Sequence, residues 1–236
     1  MSAKQKRKIR VAEINPAGTK LDALNDLPCF LGLSVDSLAS TGVEYLQHFL
    51  PWAIQRFSSV HIVLGDLMHR LNINPDGAPE DPELIPQAIR DCQIFYDKVT
   101  QIVQSSEAND ITIFRTTDLS HDSVFAACLA QTLASYKTDR VLAALVDRDV
   151  DRFIKRRERR GEACSSKKRL KQNSVRYILE ELAVFAVLKN ELGDCVHLYL
   201  GTHSDTVKSV VCGEVPSLAT LLEGQPCVDL YLSSAK

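Results

Sequence analysis

No run in the chain approaches the roughly 20 consecutive apolar residues that a membrane-spanning helix needs. Residues 1–10 lead into polar sequence instead of the apolar core of a secretion signal. A cytoplasmic protein with no membrane partner is therefore expected. C-x-x-C pairs are absent, and the seven cysteines are odd in number and scattered, so neither a disulfide framework nor a cysteine zinc site is indicated. The six histidines show no H-E-x-x-H or other ligand spacing, so no metal is expected. G-x-G-x-x-G and the P-loop are also missing. Dinucleotides and nucleoside triphosphates lose their usual backbone cradle, and no cofactor is expected. Internal repeats and low-complexity tracts do not occur either.

What is present is a chain of 236 residues, 45% hydrophobic and 25% charged, enough for one sizeable core. Its net charge of −2 conceals a segregation. The first ten residues hold five Lys+Arg and no acid, and residues 152–171 hold ten against Glu158 and Glu162. Elsewhere 13 basic residues face 28 acidic ones. An acidic body with two basic blocks suggests a polyanionic partner met at a defined place; a merely solvated loop or tail is the open alternative.

Residues 1–27 read as a flexible basic arm, and a single ordered domain is expected over 28–236. CFLGLS from Cys29 is a buried strand ending in small residues. Thr41 to Glu44 is a capping signal ahead of a helix carrying Val43, Leu46, Leu50, Ile54 and Phe57. Strands are expected at 60–66, 110–115, VHLYLG and CVDLYL, with a proline-rich loop over 72–86. Helices are expected from Glu83 to about Gln104, from about His121 to Arg160 (interrupted or not near Lys137), from Asn173 or Ser174 onward, and over 216–223. This order predicts an α/β fold, a Rossmann-like parallel sheet sandwiched by helices.

In such folds ligands gather outside the carboxyl ends of the strands. Here the first strand ends Gly32-Leu33-Ser34, where Gly32 permits close approach to the backbone and Ser34 offers a hydroxyl. A hydrolase elbow would need Gly where Asp36 stands. Tyr177 and Glu181 are four apart on a helix, hence on one face, and a phenol beside a carboxylate can hold an ammonium group and pass protons. A solvent-facing pair would show the same spacing.

The order G-[LIV]-S, then a Trp-containing helix (Leu50-Pro-Trp52-Ala-Ile-Gln-Arg56-Phe57), then Y-[IV]-L-x-E-x-x-x-F, then a strand with a late Tyr, resembles the tRNA-dependent cyclodipeptide synthases over about residues 28–204. The resemblance implies a domain akin to the catalytic domain of class I tyrosyl- and tryptophanyl-tRNA synthetases. It further implies an aminoacyltransferase that joins two aminoacyl-tRNAs into a 2,5-diketopiperazine by a ping-pong route through aminoacyl- and dipeptidyl-serine. Ser34 matches the nucleophile, Tyr177 and Glu181 the Y-x-x-x-E pair, and Tyr199 the tyrosine that helps to position the serine. Ser37 and Leu200 stand at substrate-contacting positions but depart from the family's Asn and His or Pro, and Ala183 replaces a common proline, the mark of a divergent member.

Gly32, Val63, Gly65 and Leu119 are expected to line the pocket for the first amino acid, with room at Gly65 where relatives carry a branched aliphatic side chain. For a tRNA substrate the basic block supplies phosphate contacts: Arg152, Lys155, Arg156, Arg157, Arg159, Arg160, Lys167, Lys168, Arg169 and Lys171. No DNA partner is implied, and a monomer is the expectation. Two other readings stay open. A serine acyl hydrolase or esterase would need a histidine beside Ser34, and a non-catalytic tRNA-binding module would bind tRNA without a covalent species.

Overall fold

A computed structural model describes residues 7–35, 38, 42–78, 81, 83–106, 110–162 and 164–234. Its centre is a six-stranded sheet built from β1 (Arg7–Asn15), β2 (Cys29–Leu33), β3 (Val60–Leu64), β4 (Ile111–Arg115), β5 (Val196–Leu200) and β6 (Cys227–Ser234), in the order β1-β6-β5-β2-β3-β4. β2 to β6 run parallel. From β2 the chain steps outward through β3 to β4, then returns to the other side of β2 for β5 and β6. The order therefore reverses between β2 and β5, and a crevice opens there at the carboxyl ends.

The Rossmann-like α/β sheet is as expected, with one antiparallel edge strand added, and that strand comes from the stretch read as a flexible arm. Residues 7–15 of that arm form β1, which pairs antiparallel with β6 in the register Arg10↔Tyr231 and Ile14↔Val228. Ile9, Val11 and Ile14 all join one apolar cluster. Period-two alternation serves Ile9 and Val11, and an irregularity between Val11 and Glu13 re-phases the strand so that Ile14 points the same way. That slip hides the strand from a reading by alternation.

Helices cover both faces: α1 (Leu46–Ile54), α2 (Asp66–Ile73), α3 (Leu84–Gln104), the single turn α4 (Thr116–Leu119), α5 (Ser123–Thr138), α6 (Arg140–Arg159), α7 (Lys167–Leu192) and α8 (Asp205–Val211). The helix expected from Thr41 starts only at Leu46, without a side-chain cap on Tyr45. The stretch from 121 to 160 is two helices, because the Asp139 carboxylate accepts from the N–H groups of Val141 and Leu142 and restarts the chain. α7 begins before Asn173, at Lys167, with Ser166 accepting from the Arg169 N–H. The expected helix over 216–223 is a 3-10 turn at Pro216–Leu218. No described helix is long and apolar enough to cross a membrane.

α7 is held to α2 by charge as well as by packing. Arg70 on α2 donates twice to the Glu180 carboxylate (2.6 and 2.8 Å), and Arg176 donates to the same group at 2.6 Å. Arg70 and Glu180 are both buried. Glu180→Ala should therefore strand two guanidinium groups and cost roughly 3–5 kcal/mol of stability, measurable as a fall in the urea midpoint.

Candidate active site

Ser34 follows directly on β2, where the strand passes into a helical turn marked by the Leu38 N–H donating to the Ser34 carbonyl at 3.0 Å. Alternation divides β2 between two cores. Leu31 and Leu33 pack with α1 and Cys92 of α3 on one face, and Phe30 packs with α7 on the other. Gly32 lies on the Phe30 face. In register, Val63 stands beside Gly32, and His197 beside Phe30.

α7 brings Tyr177 and Glu181 to that face. Only three residues separate its end at Leu192 from β5, with Gly193 at φ +69 making the turn, so α7 runs antiparallel to β5 and β2. Phe185 packs on Phe30 (ring centroids 5.6 Å) and on His197 (4.1 Å). Glu181 and Tyr177 continue the same row upward, by about 6 and 12 Å at 1.5 Å per residue. A strand climbs about 6.6 Å in two residues. Glu181 therefore comes level with Gly32, and Tyr177 level with Ser34 or just short of it. The row that ends in Phe185 faces the sheet, so Tyr177 and Glu181 are not a solvent-facing pair.

Glu181 is only partly accessible. Removal from water raises its pKa to about 7, and the nearby Asp149 carboxylate adds to the rise. Asp149 is itself buried and accepts from the N–H and hydroxyl of Thr206 at 2.9 and 2.7 Å, which fixes the start of α8. Tyr199, on β5, lies 5.3 Å from the His203 ring and close enough to Tyr45 for their charges to interact.

The expected pocket residues fare unequally. Val63 and Leu119 share the apolar cluster of α7 and Phe30. Gly65 faces the nucleophile candidate: its N–H donates to the Leu33 carbonyl at 2.9 Å, and a Cβ there would lie 3.8 Å from the Ser34 Cα. The room expected at Gly65 is already filled by the Met68 methyl, 3.3 Å from that Cβ. Leu200 points away, packing with the cluster of Leu31 and Leu33 on the opposite face of the sheet, because it alternates with Tyr199. Ser37 lies outside the described residues.

The chain matches the cyclodipeptide synthase family over residues 30–190. It belongs to that family. A search of curated protein sequences found no match. Among solved structures, a cyclodipeptide synthase from Fluoribacter dumoffii is 15% identical with a TM-score of 0.78, the alignment covering 97% of this chain and 100% of that one. The synthase from Candidatus Glomeribacter gigasporarum, solved bound to Phe-tRNAPhe, is 16% identical with a TM-score of 0.59 over 89% of each chain. Tyrosyl-tRNA synthetase from Archaeoglobus fulgidus, complexed with L-tyrosine, shares the fold at a TM-score of 0.55 and 12% identity, over 89% of this chain and 56% of that one. Membership makes this a cyclodipeptide-forming enzyme on an α/β fold shared with class I synthetase catalytic domains.

Relative to the synthase crevice, the basic block divides in two. Arg156, Arg157 and Arg159 occupy the last turn of α6, where cations complement the helix dipole. Arg157 is largely buried, 3.3 Å from Glu162 and over the Phe153 ring, and Arg160 also approaches Glu162. Arg152 is committed to Asp205 at 2.7 Å and Asp149 at 3.5 Å. Lys167 pairs with Glu158, and Lys171 with Asp147. Among the described residues Lys155, Arg156 and Lys168 enter no ion pair, the Arg159 guanidinium donates to the Lys155 carbonyl, and the Arg169 guanidinium donates to Gln172.

Lys167, Lys168, Arg169 and Lys171 sit at the start of α7, whose first turn holds no acid. With Lys137 and Arg176 they rim a hollow of about 700 Å³ floored by Leu133, Tyr136, Val175 and Leu179. That hollow is on the back of α7 from Tyr177 and Glu181, but at the same end of the helix.

Asp149, which with Asp147 and Asp151 reads in sequence as part of a polar helix face, is buried instead, and the Arg70–Glu180 pair and the buried pair His197 and His203 have no counterpart in the sequence reading. A histidine inside an otherwise apolar strand, as in Val196-His-Leu-Tyr-Leu200, was the available signal for the last of these.

Proposed function

We propose that the protein joins two amino acids, delivered as aminoacyl-tRNAs, into a 2,5-diketopiperazine through covalent intermediates on Ser34. The observation that supports this reading is the packing of Phe185 on Phe30 and His197, from which the helix row of Glu181 and Tyr177 is expected to run along β2 toward Ser34, at the reversal of strand order. In the first step the Ser34 oxygen bonds to the aminoacyl carbonyl, the ester bond to the tRNA ribose breaks, and the serine proton leaves with the ribose oxygen. Ester replaces ester, so the exchange is nearly neutral in free energy. Glu181 as carboxylate, with the Tyr177 phenol above it, then holds the α-ammonium of the bound residue. Once deprotonated, that amine attacks the second aminoacyl-tRNA ester, giving dipeptidyl-Ser34 and free tRNA. The new terminal amine attacks the Ser34 ester, closing the ring and returning the proton to Ser34. Both steps become intramolecular or templated, so orientation supplies most of the rate.

A serine hydrolase needs a histidine bonded to the nucleophile. Of the two buried histidines on this face, His61 bonds Ser59 through its Nε2, and the Nε2 of His197 has no hydrogen-bond partner among the described residues, so His197 is not bonded to Ser34 through that atom.

The start of α7 is the tRNA contact that the physical chemistry favours. Cations at a helix N-terminus oppose the dipole, so four of them there cost stability that an anionic ligand restores. Their ion pairs are exposed and worth about 0–1 kcal/mol each, readily exchanged for phosphate. The apolar floor behind them suits an unpaired base, and the cations suit its backbone. Lys168→Glu with Arg169→Glu should raise stability slightly, by about 0.3–1 kcal/mol per site, read as a small rise in melting temperature. The same pair should weaken tRNA binding for different tRNAs alike and flatten its salt dependence. Unchanged binding would reduce the block to a solvated surface. The activity itself is tested by mass spectrometry of the medium of cells expressing the chain: diketopiperazines absent from control cells support the reading, and their absence alongside folded protein rejects it.

A further inference from the structure

A buried polar chain runs beneath the crevice. Lys208 donates to Asp229 at 2.8 Å, and Asp229 accepts from the His203 N–H at 2.9 Å and from His203 Nδ1. His203 Nε2 meets His197 Nδ1 at 3.1 Å. Asp229, His203 and His197 are 1%, 5% and 3% exposed. Burial lowers both histidine pKa values, outweighing the Asp229 contacts of His203, so both rings are neutral. Burial opposes the ionisation of Asp229, but its bonds to His203 and Lys208 outweigh this and keep it a carboxylate.

These charge states fix the tautomers. Asp229 can only accept, so His203 carries its proton on Nδ1 and offers a lone pair at Nε2. His197 must then donate from Nδ1, which leaves a lone pair on its own Nε2. That atom has no partner among the described residues. The ring cannot readily turn to find one, because it is stacked on Phe30 (4.4 Å, 16°) and flanked by Phe185. Nε2 is also the one described atom, neighbouring residues apart, within 4 Å of where a Cβ on Gly32 would be, at 3.7 Å. Gly32 is partly accessible. The missing side chain of Gly32 therefore leaves room, one pleat or about 6.6 Å below Ser34, with the unpaired and buried Nε2 lone pair directly behind it.

We propose that His197 is a specificity-determining residue: its Nε2 accepts a hydrogen bond from the side chain of the amino acid esterified to Ser34, which therefore carries a neutral donor, a hydroxyl, amide N–H or indole N–H. The inference rests on the function proposed above. An aliphatic side chain in this space would leave the buried acceptor unpaired, and sites built to hydrogen-bond a substrate reject analogues that lack the group.

The test supplies the purified protein with total tRNA charged with all the proteinogenic amino acids and reads the products, and the mass added to Ser34, by mass spectrometry. Donor-bearing residues are expected in the Ser34 adduct and in every abundant diketopiperazine. His197→Leu should lower donor-bearing relative to apolar products roughly tenfold or more, and His197→Gln, which retains an acceptor, should restore much of the ratio. A merely structural histidine would change yield without changing that ratio. Asp229→Asn, which frees the His203 tautomer while leaving His197 in place, should shift the ratio in the same direction and serves if His197→Leu does not fold. Diketopiperazines made only from apolar residues would overturn the inference and leave the proposed function standing. No diketopiperazine from the parent protein would overturn both.

Discussion

Ser34→Ala should abolish diketopiperazine formation, with a loss of about a thousandfold or more, as expected when a covalent route loses its nucleophile. The fold should be unaffected. Ser34 sits at the strand end, outside both apolar clusters, and its carbonyl, which receives the Leu38 N–H, is retained by alanine. Binding of charged tRNA should likewise persist, since the cations at the start of α7 are untouched. The combination separates the synthase from a binding module, in which Ser34→Ala would leave every measurable property as it was. Denaturation midpoint, tRNA affinity and product yield, measured on the same preparation, check it.

Glu181→Gln should lower product formation by roughly a hundredfold or more and change its pH dependence. With its pKa raised to about 7 by burial and by Asp149, Glu181 is neutral below that pH and a carboxylate above it. A neutral carboxyl cannot pair with an ammonium, so kcat/KM should fall as pH falls through about 7, and Glu181→Gln should remove that limb. In the acyl-enzyme the bound ammonium draws the pKa down, so the limb in kcat should lie at lower pH. Stability moves the opposite way. The folded protein holds this proton more tightly than the unfolded chain does, so stability falls as pH rises from the ordinary carboxylate range through about 7, and glutamine should abolish this slope. A kcat/KM limb unchanged in Glu181→Gln would assign it to another group.

The strand-end serine and the Tyr177–Glu181 spacing were legible because they depend on local order. A strand followed by a loop places Ser34, and helical periodicity places the pair on one face. What joined them was legible only in three dimensions. The row 177, 181, 185 faces the sheet because Phe185 meets His197 and Phe30, the latter more than 150 positions away in the chain. The pocket shifted for a similar reason. Gly65 looked like the open position, but Met68, three residues on in α2, turns its methyl into that space, and the opening lies over Gly32. α2 went unread because its polar Asp66–Ile73 run is short and precedes a proline-rich stretch. β1 was hidden by its own irregularity. Basic residues are plain in sequence, but their commitments are not: Arg152 and Arg157 are spent on Asp205 and Glu162.

The central claim is that Ser34 carries the growing product, and intact-mass analysis after brief mixing with charged tRNA tests it most directly. The account predicts a mass increase equal to one aminoacyl group, located on Ser34 by fragmentation and absent from Ser34→Ala. Product released by the parent protein with no adduct at Ser34, or an identical adduct in the alanine variant, would contradict it.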